Sequence, residues 1–236
     1  MDIAFLEIYG EGIAAAHYNF DSLVVPFRAI ATDIYTKKPY IFKSGDLGTS
    51  IRASMTFPLY FRPVNVEGRP LFDGSIVNNY PCYLMMNDFN PDYIIGSLVA
   101  SNAPPPNEYD LLLQIENMVS FQSDFDLPDS LGFLINTNIN NVSLLDFSTA
   151  EKLVNLGYKN TIQYIDSIRT VVKRNVSKRE VTQKRVAFKN NQPKLYYNNI
   201  TISGLKPIQQ RYVERMIRKK SSVISHERFK KEYFKL

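Results

Sequence analysis

The chain has 236 residues, 44% hydrophobic and 22% charged, with a net charge of +5. That length supports one large domain, or a domain and a small module, and the composition excludes wholesale disorder. One cysteine, Cys82, and two distant histidines, His17 and His226, exclude an internal disulfide and a Cys/His metal centre, so no metal or other cofactor is expected.

No apolar run is long enough to cross a bilayer as a helix. The opening Met1-Asp2-Ile3-Ala4-Phe5-Leu6-Glu7 carries acids where a secretory leader carries bases, so no targeting segment is read there. Charge is uneven: residues 1–150 carry a net −10 and residues 151–236 a net +15. By charge the basic part could face nucleic acid, anionic lipid or the acidic part of its own chain; of these an anionic membrane surface is the expected partner and nucleic acid is not. A run such as Arg218-Lys219-Lys220 reads first as a solvated helix face.

In chain order, Glu7 to His17 reads as one helix. It contains Gly10-Glu11-Gly12-Ile13-Ala14-Ala15, which fits G-x-G-x-x-A, and Asp33 follows at the distance of a ribose-binding acid. Too little chain separates Gly12 from the next apolar run for a crossover helix, so dinucleotide binding is set aside. Val24 to Asp33 reads as a buried strand, Thr36 to Pro39 as a turn, and Tyr40 to Phe42 as a returning strand. Asp46 caps a helix over 47–56 with Leu47, Ile51 and Met55 on one face, ended by Pro58. Tyr60–Val66 and Gly68–Phe72 form a hairpin through Glu67-Gly68, which delivers Asp73 to a strand end.

Tyr93–Val99 reads as a strand buried on both faces. After Pro104-Pro105-Pro106, Leu111, Ile115, Met118 and Val119 keep helical spacing, and Phe133–Asn136 is a short strand. Ser148-Thr149-Ala150-Glu151 has the form of a capping box before one long amphipathic helix that runs to Val172. Residues 173–194 read as a basic linker. Leu195 to Ile202 reads as a strand and Ile208 to Ile217 as a helix, too little to bury a core alone.

The candidate chemistry lies in Leu71-Phe72-Asp73-Gly74-Ser75. A strand end can present a carboxylate, with Gly74 for the bend and Asn78, Asn79 and Pro81 to steady the loop. On spacing alone, Asp-Gly more often marks a plain turn. The surrounding block, however, resembles the patatin-like phospholipase family. Ala53, Ser54, Pro58, Phe61, Asp73, Gly74, Asn79 and Pro81 match its Ala-Ser-x-x-x-Pro-x-x-Phe helix end, its Asp-Gly-Gly/Ala motif and the following Asn-x-Pro, in order and spacing. Pro26 to Asp33 resembles the family's preceding strand, and Asp146-Phe147 with Gly157-Tyr158 resembles its late helix.

This resemblance, over about residues 20–172, implies an α/β fold: a three-layer patatin-like sheet with helices on both faces, N-terminally incomplete here. It further implies a Ser–Asp dyad that acts on a lipid or other acyl-ester substrate, with Asp73 as general base. Gly74 and Ser75 complete the motif, with Ser75 where the family prefers Gly or Ala. No G-x-S-x-G and no Gly-rich oxyanion turn occurs in the chain, so no nucleophile is assigned. The expectation is a fragment, inactive alone; a non-catalytic interaction protein on the same scaffold, with a basic lipid- or partner-binding tail, is the alternative.

Ile200-Thr201-Ile202-Ser203-Gly204-Leu205 with Tyr212-Val213 is similar to the start of a POTRA module. That similarity implies a bacterial parent in the periplasm or at the outer membrane. The expected organisation is thus 1–172 patatin-like, 173–194 linker and 195–236 POTRA-like.

Overall fold

A computed structural model describes residues 2–102, 108–119, 121–139, 142, 146–173, 176–219 and 221–236. The chain has a mixed α/β fold, as the sequence leads one to expect. It divides into two compact units: Met1–Ala29, Phe42–Arg52 and Arg179–Leu236 form one, Ile30–Ile41 and Ala53–Lys178 the other.

In the first unit, α1 (Asp2–Ala15) carries Gly10 and Gly12 inside a continuous helix, so neither glycine serves a nucleotide-binding turn. A Cβ at Gly10 would lie 2.8 Å from Leu195 Cδ1, so the glycine lets this leucine pack against the helix. Asp46 caps α2 (Leu47–Ser54) as read: Oδ2 accepts from the Thr49 N–H at 2.7 Å and its hydroxyl at 2.6 Å. Met55, expected on its apolar face, lies past the helix end and is exposed.

The stretch read as a linker holds a helix, α7 (Lys178–Asn190). Of the strand read over 195–202, only Tyr196–Tyr197 pairs, with Ile224–Ser225. The helix read over 208–217 forms as α8 (Pro207–Arg218), and a further helix, α9 (His226–Tyr233), follows it. Glu7 of α1 accepts from His226 Nε2 at 3.3 Å and Lys230 Nζ at 2.5 Å. Glu232 is buried, yet Lys219 at 2.6 Å and Lys235 at 3.0 Å hold its carboxyl down to about 2.

In the second unit the strands read in order are β1 (Ala29–Asp33), β2 (Lys38–Phe42), β3 (Val64–Val66) and β4 (Arg69–Asp73), arranged β2-β1-β4-β3. The strand expected from Val24 begins only at Ala29: Val25 is 69% exposed, and the segment before it bends through Pro26, which has no N–H to give a ladder. β3 and β4 join through Glu67 and Gly68 at φ 52° and 80°, the two consecutive positive values a two-residue hairpin turn requires. β4 also pairs antiparallel with β1, Ala31 facing Asp73 and Asp33 facing Leu71. Leu71, in the middle of this sheet, is fully buried.

Then come α3 (Cys82–Phe89), β5 (Ile94–Leu98), α4 (Leu111–Val119) and β6 (Gly132–Asn136), with β5 and β6 parallel. β5 was expected to be buried on both faces; it alternates instead, with Ile94, Gly96 and Leu98 inside and Ile95 48% exposed. Leu111 and Met118 of α4 are exposed, so helical spacing there does not mark a buried face; the prolines read before it lie outside the described residues.

The capping box is not formed. Asp146 caps the turn Phe147–Thr149 through the Ser148 N–H and hydroxyl, and α5 (Ala150–Ile162) starts with no side-chain cap from Thr149. Nor is the following helix continuous: it breaks at Gln163–Tyr164 before α6 (Ile165–Val171). Near that break the Thr161 hydroxyl donates to the Gly157 carbonyl at 2.8 Å, a local bond that bends helices.

Leu71→Ala is expected to cost about 2–5 kcal/mol, the range for a fully buried leucine. Urea denaturation checks this; a loss under 1 kcal/mol would show that the β1–β4 sheet does not carry this unit's core.

Candidate functional site

Strand β4 ends at Asp73, and the backbone of that residue is tied on both sides. Its N–H donates to the Thr56 carbonyl at 2.9 Å, and its carbonyl accepts from the Thr32 hydroxyl at 2.9 Å. Gly74–Ile76 then make one 3-10 turn. The reason for glycine at position 74 differs from the one read in the sequence. Its φ is not positive; the need is space, because a Cβ there would lie 2.6 Å from the Ile30 carbonyl oxygen of β1. Only a residue without a side chain lets the turn press this close to the neighbouring strand.

The Asp73 carboxyl caps that turn, Oδ1 accepting from the Ser75 N–H at 2.9 Å. It is half-buried, and no cation among the described residues pairs with it. Burial pushes its pKa above the ordinary 3.8, opposed by hydrogen bonds from the Ser75 backbone and hydroxyl. Ser75 is therefore more than a small residue that fits: its N–H at 2.9 Å, and after it its hydroxyl, moderate the basicity of the carboxylate beside it.

Asp33, the other acid on these strands, is differently placed. It is buried, accepts from the Tyr35 and Thr36 N–H groups at 2.8 and 3.3 Å, and lies 3.7 Å from Arg69. Those bonds make it the cap of the β1–β2 turn. Asn78 steadies the loop after Asp73 as expected, Oδ1 accepting from the Tyr80 N–H at 2.9 Å. Asn79 uses its backbone instead, donating its N–H to the Ser123 hydroxyl at 2.7 Å. Ser123 and its partner Asn102 carry no sequence signal, since they match no motif and their contacts are long-range. Among the described residues no group of three or more His, Cys, Asp or Glu side chains is arranged to hold a metal ion.

Residues 11–86 match the model of the patatin-like phospholipase family. That span runs from α1 into α3 and includes Thr32, Thr56, Asp73, Gly74 and Ser75. The chain is also 36% identical over 89 residues to an uncharacterized NTE family protein of Mycobacterium bovis, and equally to counterparts in two strains of Mycobacterium tuberculosis. Each match covers 37% of this chain and 24% of the relative, so the chain spans about a quarter of the length of these relatives. The patatin-like match ends at residue 86, well before α8 and α9.

An acid whose pKa is raised by folding costs stability once ionised, and that cost disappears below its unfolded value. Asp73→Asn keeps the acceptor for Ser75 and removes the charge. It is therefore expected to raise Tm at pH 7, the gain shrinking as pH falls through the raised pKa and vanishing below 3.8; a gain that is the same at every pH would contradict the burial cost. Ser75→Ala removes a donor to the charged form, so the Asp73 carboxyl followed by NMR should titrate at higher pH than in the parent chain. A shift downward would remove Ser75 from the site.

Proposed function

We propose that this chain is part of a patatin-like lipid acyl hydrolase in which Asp73 is the general base. The observation that carries the reading is the Asp73 carboxyl itself: at a strand end, half-buried, with no cationic partner among the described residues, and with its backbone fixed by Thr32 and Thr56. A carboxylate made more basic by burial suits proton abstraction without a histidine relay.

A serine hydroxyl, from a part of the protein outside this chain, would give its proton to Asp73 as Oγ attacks the ester carbonyl. The bond to the alcohol then breaks, and the alcohol leaves with a proton from Asp73. Water next attacks the acyl-serine; Asp73 takes one water proton and returns it to the serine as the fatty acid departs. Oxyanion donors for the tetrahedral intermediates come from outside the chain as well.

The surroundings suit an acyl substrate. Thr56, which accepts the Asp73 N–H, opens a loop that exposes Leu59, Tyr60 and Phe61, next to exposed Met55. Leu59 adopts φ 71°, a left-handed conformation that leucine rarely takes. Such strain in an apolar loop beside a base is a feature of ligand-contacting segments. The resemblance of residues 195–236 to a POTRA module carries no part of this reading.

In the full-length protein, Asp73→Ala should lower kcat for p-nitrophenyl acyl esters and phospholipids by about 10³-fold or more, with the fold kept by circular dichroism. Rate should rise with pH through the raised Asp73 pKa, and this chain alone should not hydrolyse either substrate. Hydrolysis that survives Asp73→Ala would end the assignment.

A further inference from the structure

The turn that carries Asp73 is held by a strap distant in sequence. Ser123, 8% exposed, accepts the Asn79 N–H on its hydroxyl at 2.7 Å. Ser123 is itself held by Asn102: Oδ1 accepts the Ser123 N–H at 2.7 Å while Nδ2 donates to the Ser123 carbonyl at 3.0 Å. One carboxamide thus reads both backbone groups of one residue, as a neighbouring strand would. Aspartate lacks the donor and glutamine is a methylene too long. Beside this contact, the Phe121 N–H donates to the Ile76 carbonyl at 2.7 Å. The Phe125 ring lies 6.4 Å from that of Tyr80, and the Asp126 carbonyl accepts from Cys82 Sγ at 3.6 Å.

The strap touches Ile76, Asn79, Tyr80 and Cys82, all shortly after Asp73. Between them and Asp73, the Gly74 carbonyl accepts from the Val77 N–H at 3.2 Å and the Asn78 N–H at 3.1 Å. This is the same turn that Asp73 caps, so a shift at Asn79 passes to the carboxyl through bonded groups. Asn102 follows β5 by a few residues, and the clasp therefore ties the turn to the parallel strand pair.

We propose that Ser123 and Asn102 form a clasp that positions the Asp73 turn for proton transfer, Ser123 through its hydroxyl and Asn102 by holding Ser123. This rests on the reading of Asp73 as general base. Neither residue touches substrate; both are positioning residues. Opening the clasp takes away the Asn79 N–H's acceptor on Ser123, frees the loop and admits water to the carboxyl.

Two measurements test this separately. In this chain, Ser123→Ala should shift the Asp73 titration, followed by NMR, down toward 3.8 and speed exchange of the Asn79 amide, while Ser123→Thr, which keeps a hydroxyl, should restore both. In the full-length protein the same alanine variant should lower kcat about 10- to 100-fold with KM within about two-fold, the scale expected for a misplaced catalytic group; threonine should recover it. Should Ser123→Ala not fold, Asn102→Asp, which keeps the shape and loses the donor, is read in the same way. An Asp73 titration and an Asn79 exchange rate that do not move would overturn the clasp whatever the enzyme assay shows. An unchanged kcat in a protein that Asp73→Ala inactivates would overturn it too, and leave the assignment of Asp73 standing. Activity that survives Asp73→Ala would remove the catalytic purpose while the titration still reported the mechanical link.

Discussion

The close approach of Gly74 to β1 is the constraint on which the rest of the site depends. With 2.6 Å between the place of a Cβ and the Ile30 carbonyl oxygen, any side chain would push the 3-10 turn off the strand. The displacement would pull Asp73 out of its two backbone bonds, since Thr32 lies on that same strand. The sheet registers Asp73 against Ala31, the hydroxyl of the next residue fixes its carbonyl, and Thr56 fixes its amide. The sheet register and bonds to the Asp73 backbone therefore set where the carboxyl sits, and the carboxyl is spared any structural role beyond capping one turn.

That sparing has an energetic side. The other strongly placed acids of the chain meet cations: Asp33 meets Arg69, Glu7 meets Lys230, and Glu232 meets two lysines that hold it near 2. For Glu7 and Glu232 that pairing favours the ionised form. Asp73 has the opposite environment, with burial raising its pKa and only Ser75 pulling it back. A fold selected for stability alone would pair this carboxylate or replace it. Sites that break a local rule in this way are where function is expected, because the cost is tolerated only where the group is used.

What the sequence made legible was local. Gly68 announced a hairpin turn because a positive φ favours glycine, and Asp46 announced a cap because a short acceptor before a helix has few other uses. Asp73 was legible through its neighbours and not through its own chemistry. The failures came where tertiary context decided. Ser148 and Glu151 have capping-box spacing, but Asp146, two residues earlier, takes both the Ser148 N–H and the Ser148 hydroxyl. The apolar period through Val172 continues across Tyr164, although the backbone does not. Residues 178–190 looked too polar for a core element, yet a helix needs no buried face to form where lysine, arginine and glutamine favour it. Ser123 and Asn102 could not be found at all, since a serine and an asparagine in irregular chain have no period.

The boundary of the family match sharpens this division. Asp73, its two threonine anchors and Gly74 all lie within residues 11–86, while Asn102 and Ser123 lie beyond. Within the matched span the site asks for particular chemistry: a carboxylate, a missing side chain and a strand register. Holding the turn still can be done by any donor and acceptor of suitable reach, so different sequences can supply it from different places. A search by motif finds the first kind of residue and passes over the second. Geometry finds both, because a hydrogen bond of 2.7 Å to the backbone of Asn79 constrains the Asp73 turn whether or not its donor and acceptor are written in a pattern.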